Sequence, residues 1–403
     1  MGIDAKWIVD AGVALAGLIV TFAMLIGRTL PQPNRLLALV GTGRSGSIFS
    51  ALLAMGLGIW SAGCSSEGIT VVSWGGSYEA AARKAIFEPF TAETGIAVRV
   101  ESYNGGLAQI RAQVETGNVH WDVVDLELGD AVKGCDEGLL ELIDMDELPP
   151  APDGTPARED YAEGTYTDCG GGMVYYSTAY AYNRESFAGE APSKLEDFFD
   201  LARFPGRRGM RRVPLANLEM ALMADGVPAA EVYATLSTAD GVDRAFRKLD
   251  TIKPEVIWWE AGAQPPQMLA DQEVVMSTAY NGRIFNAQVL ENQPFTIVWD
   301  GQILDTGQMA IVAGTPRLEA AKQFLMFASR VESIAAIGRY IAYSPTRLSG
   351  MSLIGTHAET GVDMRPHMPS APENLARALR NDPLWWTNHG EELTERFSAW
   401  LAR

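Results

Sequence analysis

Three clusters of aromatic and acidic residues share the chemistry of a cation site. They are Trp74-Gly75-Gly76-Ser77-Tyr78, Asp125-Leu126-Glu127 and Trp258-Trp259-Glu260, with Tyr280-Asn281 a little further on. Alkylammonium groups bind over the faces of Trp and Tyr, at roughly 0.5–2 kcal/mol each. Carboxylates add charge-assisted hydrogen bonds, and the methylene chain of such a ligand needs an apolar slot. Trp74, Tyr78, Trp258, Trp259 and Tyr280, with Asp125, Glu127 and Glu260, supply the residue types for all three requirements. Gly75, Asn281 and Asp305 complete the candidate contacts. Adjacent tryptophans on an extended segment face opposite ways. One of Trp258 and Trp259 is therefore expected at a cleft, the alternative being that both are core.

A search for catalysis finds no constellation. The body holds no G-x-S-x-G elbow, no P-loop and no H-E-x-x-H. The four histidines, His120, His357, His367 and His389, are scattered and read as surface imidazoles. Asp125 and Glu127, two residues apart on a strand, point to the same face, but that does not by itself make a carboxyl pair flanking one bond. A binding protein with no cofactor and no metal is expected, not an enzyme. The remote alternative is a surface-anchored hydrolase using Asp125 or Glu127.

The elements that must position these residues read as alternating strands and helices. Ile69–Trp74 is β-rich, Ser77 is an N-cap candidate, and Tyr78–Thr94 has helical spacing and stops at Gly95. Ile96–Val100 is a strand, Leu107–Glu115 a helix, and Trp121–Leu126 a strand. This order implies parallel strands with helical crossovers, whose ligands sit beyond the carboxyl ends of the strands. That rim collects Trp74-Gly75-Gly76, Tyr103-Asn104-Gly105-Gly106 and Asp125-Leu126-Glu127. Met173–Tyr182 reads as a strand crossing between lobes. Beyond it come a basic turn at Arg207-Arg208, helices at Asn217–Met223 and Val242–Ile252, and a returning strand at Val274–Ala279. Phe295–Trp299 and Met309–Val312 are expected as separate strands, with mostly helix from Leu318 onward, including Glu391–Leu401.

The 403 residues allow two domains, and a net charge of −18 argues against nucleic acid. Ile48–Trp60, preceded by Arg44 and followed by Ser61-Ala62-Gly63-Cys64, has the features of a signal peptide. Its end resembles a bacterial lipobox, with Ser61 where an aliphatic residue is usual, and this predicts lipidation of Cys64. Residues 1–63 carry four basic and two acidic side chains, so the remainder carries −20. The upstream stretch Trp7–Ile26 is long enough to span a bilayer. It is either an extra helix or the product of a start codon placed too early, and Pro31, Pro33 and Gly41–Gly46 favour the second. In an exported chain Cys135 and Cys169 meet an oxidising compartment and are expected to pair, the alternative being two buried thiols.

Five motifs in order carry a family resemblance. Ser73-Trp74-Gly75-Gly76-Ser77-Tyr78, Trp121-Asp122-Val123-Val124-Asp125, Trp258-Trp259-Glu260-Ala261-Gly262, Ala279-Tyr280-Asn281-Gly282-Arg283 and Tyr343-Ser344-Pro345-Thr346 together resemble the spermidine/putrescine-binding proteins of bacterial ABC importers. The resemblance covers about 68–403 and implies an α/β, type II periplasmic-binding fold, two lobes closing over a ligand cleft. On that pattern lobe 1 takes 68–174 and 282–345, lobe 2 takes 175–281, and 346–403 packs on the lobes as a helical segment. It implies capture of putrescine or spermidine and delivery to ABC permease subunits, by a monomer in the periplasm or at the cell surface. Trp74 falls on the first aromatic wall, Tyr280 where the family has a tryptophan near the hinge, and Trp258 or Trp259 near another wall. Asp125 and Glu127 fall in the polar loop after the third strand. The sequence departs at Arg211-Arg212-Val213-Pro214-Leu215-Ala216-Asn217, where the family places acidic residues; Glu219 or Glu260 would substitute. Arg283 is expected to pair with one of the carboxylates. The same fold binding ferric ion, thiamine or an amino-acid derivative is the alternative.

Overall fold

Two strands of unusual length organise the protein. In the computed structural model, which describes residues 68–403, Gly170–Asn183 (β4) and Phe295–Ile311 (β8) pair antiparallel along most of their length. β4 is rich in Tyr, Ser and Ala, nearly all of it buried, as suits a central strand covered on both faces. Residues 1–63 and Cys64 lie outside the described residues. Among the described residues no helix is long and apolar enough to cross a membrane.

The described strands form one 11-stranded sheet. On one flank of the long pair lie Ile69–Ser73 (β1), Val98–Ser102 (β2) and Val123–Glu127 (β3), with β2 and β3 parallel to β1. On the other lie Arg208–Arg211 (β5), Val256–Trp259 (β6) and Met276–Tyr280 (β7), with β6 and β7 parallel to β5. The path through the sheet is β2-β1-β3-β8-β4-β7-β5-β6. β3 joins β8, and β7 joins β4, in antiparallel fashion.

Each flank has its own core. In the first lobe Gly76–Ala82 opens a helix (α1) that continues through a π-helical turn, Arg83–Phe87, into Glu88–Thr94. Pro89 explains the turn, because it lacks an N–H and its ring crowds the carbonyl four residues back. Phe87 and Phe90 of α1 pack on Phe324 of Leu318–Ala328. Ala108–Thr116 (α2) and Leu128–Asp136 (α3) complete this lobe. In the second lobe Asn217–Ala224 (α4) and the amphipathic Ala239–Asp250 (α5) bury Leu218, Leu222, Phe246 and Leu249 with Phe198 and Phe204. The long strands belong to both cores: Met173, Val174, Met309 and Ile311 enter the first, Tyr180, Tyr182, Val298 and Ile303 the second.

Several boundaries differ from expectation. Phe295–Trp299 and Met309–Val312 are parts of one 17-residue strand. The turn residue Gly301 lies within it, at a register shift between Thr178 and Tyr180, so it bends the strand without ending it. Arg208 is no turn residue. It is fully buried in β5 and donates to the carbonyls of Phe198, Phe204 and Gly206. Ser77 does not cap α1; the cap position is Gly75, with φ 62°. Residues beyond Ile337 are mostly turns and short 3-10 segments until the 19-residue helix Pro383–Leu401 (α6). α6 sinks Trp386, Leu393 and Phe397 into the second core and also lies against α3.

Cys135 of α3 and Cys169 at the start of β4 form a disulfide. It ties the helix that follows β3 to the crossing strand. A Cys135→Ser/Cys169→Ser variant is expected to lose about 3–4 kcal/mol of unfolding free energy for a loop of this size. A guanidinium titration checks this, and an unchanged midpoint would show that the bond contributes nothing.

Candidate functional site

The carboxyl ends of β1, β3, β5 and β7 converge on one cleft between the lobes. Trp74, Tyr78, Asp125, Leu126, Glu127, Val174, Tyr176, Tyr280, Arg283, Gly307 and Tyr343 line it. That lining is of the kind a small-molecule site has, apolar and aromatic with a few placed charges.

Backbone geometry at two glycines shapes one wall. Gly105 has φ +92°, and a Cβ there would lie 2.9 Å from the Trp74 ring. The loop therefore lies flat on the indole only because it lacks a side chain. Gly76 has φ +60°, and a Cβ would meet the Arg283 guanidinium at 2.5 Å. That guanidinium donates to the carbonyls of Trp74 (2.9 Å) and Gly75 (3.1 Å), so it anchors the β1–α1 turn. Arg283 thus pairs with backbone and not, as expected, with a carboxylate. Trp74 also packs on Tyr103, and Tyr176 stands edge-on to Tyr280.

The charges are nearly all buried. The Tyr78 hydroxyl donates to Asp125 Oδ2 at 2.5 Å, and Oδ1 has no hydrogen-bond partner. Burial pushes the Asp125 carboxyl up to about 7, against the pull of the Tyr78 hydroxyl and the Trp74 indole. Glu127 accepts a 2.6 Å bond from Arg211 Nη1, an ion pair that joins the end of β3 in one lobe to the end of β5 in the other. Burial works against the Arg211 charge, but Glu127 and the neighbouring phenols outweigh it and hold the guanidinium protonated. Tyr280 lies within cation–π reach of both Arg211 and Arg283.

Of the residues singled out in the sequence, Trp74, Tyr78, Asp125, Glu127 and Tyr280 line this cleft, and Gly75 lies in its wall. The others are placed elsewhere. Trp258 packs edge-on to Phe397 and Trp400 of α6. Trp259 is buried behind Tyr280. Glu260 is exposed and pairs with Arg212. Asn281 spends its amide on Ser177 N–H and the Ala342 carbonyl. Asp305 accepts from Asn381 and borders a second cavity with Tyr233 and Arg380. Glu219 is fully buried, accepts from the Trp386 indole, and leaves Oε2 unpartnered. Sequence reading missed Tyr176, Tyr343 and Arg211 as lining or charge-bearing residues, and expected Arg283 at the cleft as the partner of a carboxylate. The Arg211-Arg212 pair had registered only as a departure from an acidic pattern.

The family model described as bacterial extracellular solute-binding protein matches residues 85–353. The γ-aminobutyric acid-binding protein of Pseudomonas aeruginosa is 42% identical over 357 residues, 88% of this chain and 97% of that protein. The solved structure of MotA from A. tumefaciens B6 in complex with glucopine superposes with a TM-score of 0.75 at 30% identity, covering 83% of this chain and 99% of that one. A GABA receptor of solved structure gives 0.70 at 30% identity, covering 84% and 98%.

Burial raises Glu219 from an ordinary 4.5 to about 7. Between those pH values the native state holds more protons than the unfolded chain, so stability falls as pH rises through that window. Glu219→Gln removes this contribution. It is expected to raise the melting temperature at pH 8 and to flatten its slope between pH 5 and 8; an unaltered slope would assign the pH dependence to other groups.

Proposed function

Because this chain belongs to the bacterial extracellular solute-binding protein family, we propose that its cleft captures a small ω-amino acid of the γ-aminobutyric acid type for an ABC importer. The family places the working protein outside the cytoplasm, in the periplasm or at the cell surface, handing its ligand to permease subunits. The lipid anchor at Cys64 remains an expectation, since that residue lies outside the described part.

The observation that carries this reading is the Arg211 guanidinium, largely withdrawn from water, which lies over the Tyr280 ring and pairs with the cleft residue Glu127. A guanidinium presents five donors in a fixed fork, and Nη1 is used on Glu127. The fork suits a ligand carboxylate. Asp125, whose Oδ1 has no partner, suits an ammonium, with Trp74, Tyr176 and Tyr280 around the methylene chain. Closure of the two lobes about the long strands would complete the enclosure, a hinge motion of the kind periplasmic binding proteins use. The names of two relatives, each a GABA binder or receptor, support this ligand class above the polyamine that the sequence motifs suggested.

A diamine is the second reading. It is favoured by Asp125, a buried carboxylate without a guanidinium partner, raised to about 7 by burial. Arg211 opposes it, since a buried cation repels a dication. Four tyrosines line the cleft, as a ferric site would want, but burial raises each phenol above its ordinary range, to about 12 for Tyr343. That disfavours the phenolates a ferric ion needs.

Calorimetric titration decides between the readings. GABA is expected to bind at micromolar or tighter concentration and putrescine far more weakly. Arg211→Met should weaken GABA by roughly a hundredfold, from the loss of a charge-assisted hydrogen bond. Tight putrescine binding without GABA binding would establish the diamine reading. The ammonium needs Asp125 ionised, so binding below about 7 must displace a proton. GABA affinity should therefore fall by up to roughly tenfold per pH unit below that value and level off above it. A flat profile from pH 5.5 to 8 would remove Asp125 from the ammonium site.

A further inference from the structure

Arg211 sits at the last residue of β5, where the sheet stops holding the chain. Its final ladder partner is Trp259, and Arg212 N–H still donates to the Trp259 carbonyl at 2.8 Å. From there the backbone must leave the sheet, turn over residues 213–216 and enter α4. A side chain that reaches across a cleft to a 2.6 Å contact needs its own backbone held firmly.

Asn217, the first residue of α4, is 1% exposed and supplies that hold. Its Nδ2 donates to the carbonyl of Arg211 at 2.6 Å and to the carbonyl of Val213 at 2.6 Å. One side-chain nitrogen at the start of α4 therefore holds the entry of the turn that follows Arg211 at two carbonyls. Among short side chains, only asparagine offers two donors on one nitrogen; aspartate offers none when ionised and serine one. The residue before it, Ala216, has φ 67°, the left-handed region that a residue with a Cβ adopts only when its surroundings impose it. Two independent features thus specify the same turn: a strained residue inside it and an amide that ties it closed. Asn217 is not among the residues lining the cleft.

We infer that Asn217 is a positioning residue for Arg211, and that through Arg211 it sets the preference of the cleft for ligands that carry a carboxylate. The inference rests on the reading of the cleft proposed above. Loss of the Asn217 amide frees the Arg211 carbonyl and lets the guanidinium drift from the fork geometry a carboxylate needs. A ligand with an ammonium but no carboxylate does not depend on that geometry.

The test uses the full chain, GABA and n-butylamine, in calorimetric or competition titrations. Asn217→Ala is expected to weaken GABA by about tenfold and to leave n-butylamine unchanged. In an Arg211→Lys background, whose ammonium on a flexible stem depends less on backbone position, the same substitution should have little further effect on GABA. Such non-additivity is the sign that the two residues act as a unit. Melting curves establish that the variants fold; should Asn217→Ala not fold, Asn217→Ser, which keeps one donor, carries the same comparison with a smaller loss. Equal losses for both ligands, or additive losses in the Arg211→Lys background, would overturn the inference and leave Asn217 a structural residue. Wild-type protein that binds GABA while Asn217→Ala binds it equally well overturns this inference alone. Wild-type protein that does not bind GABA overturns the reading of the cleft, and this inference with it.

Discussion

The antiparallel pairing of β4 with β8 is the constraint on which the rest of the structure depends. Each strand starts in one hydrophobic core and ends in the other, so the ladder between them sets where the two lobes lie. The parallel strands on either flank then direct their carboxyl ends toward the gap, as ligand-binding α/β sheets do. Trp74 follows β1, Glu127 ends β3, Arg211 ends β5 and Tyr280 ends β7. Four cleft residues from positions up to two hundred residues apart thus meet because one strand pair fixes both halves.

The cleft works against the stability of the fold that holds it. Asp125 is buried with one oxygen unpartnered, and Arg211 and Glu127 are withdrawn from water as a pair. A buried ion pair recovers little more than its desolvation cost, and a buried lone carboxylate recovers less. Such groups are retained where a fold trades stability for a site. The surrounding packing supplies the difference: Phe87, Phe90 and Phe324 in one lobe and Phe198 and Phe204 in the other are essentially out of solvent. Each such ring contributes on the order of 2–3 kcal/mol on burial.

Local pattern made part of this legible in advance. The period-two and helical spacings located β1, α1, β3 and the crossing strand β4, because those elements bury one face or both and say so in their composition. The glycine-rich strand ends marked Trp74 and the Tyr103–Gly106 loop. Less legible was β8, where an internal glycine reads as a stop although it serves as a bend. The basic Arg207-Arg208 pair likewise read as a turn, although Arg208 donates to four backbone carbonyls in the core.

By itself the sequence determined the alternation of strands and helices, the chemistry available at the strand ends, and the two-lobed class of fold. It placed Trp74, Asp125 and Glu127 at the rim, since strand ends are local features, and offered Tyr78 and Tyr280 as contacts on residue type. Only the tertiary structure decided which remaining side chains reach the cleft. Trp258 is claimed by Phe397 and Trp400, Glu260 by Arg212, Glu219 by Trp386, and Asn281 by two backbone groups. Arg211 is drawn to the cleft's edge by the lining residue Glu127, 84 residues earlier, which stands opposite it. The physical reason is the same in each case. A side chain's direction at the end of an element is set by partners that the fold brings near, and those partners leave no mark on the residues beside it in the chain.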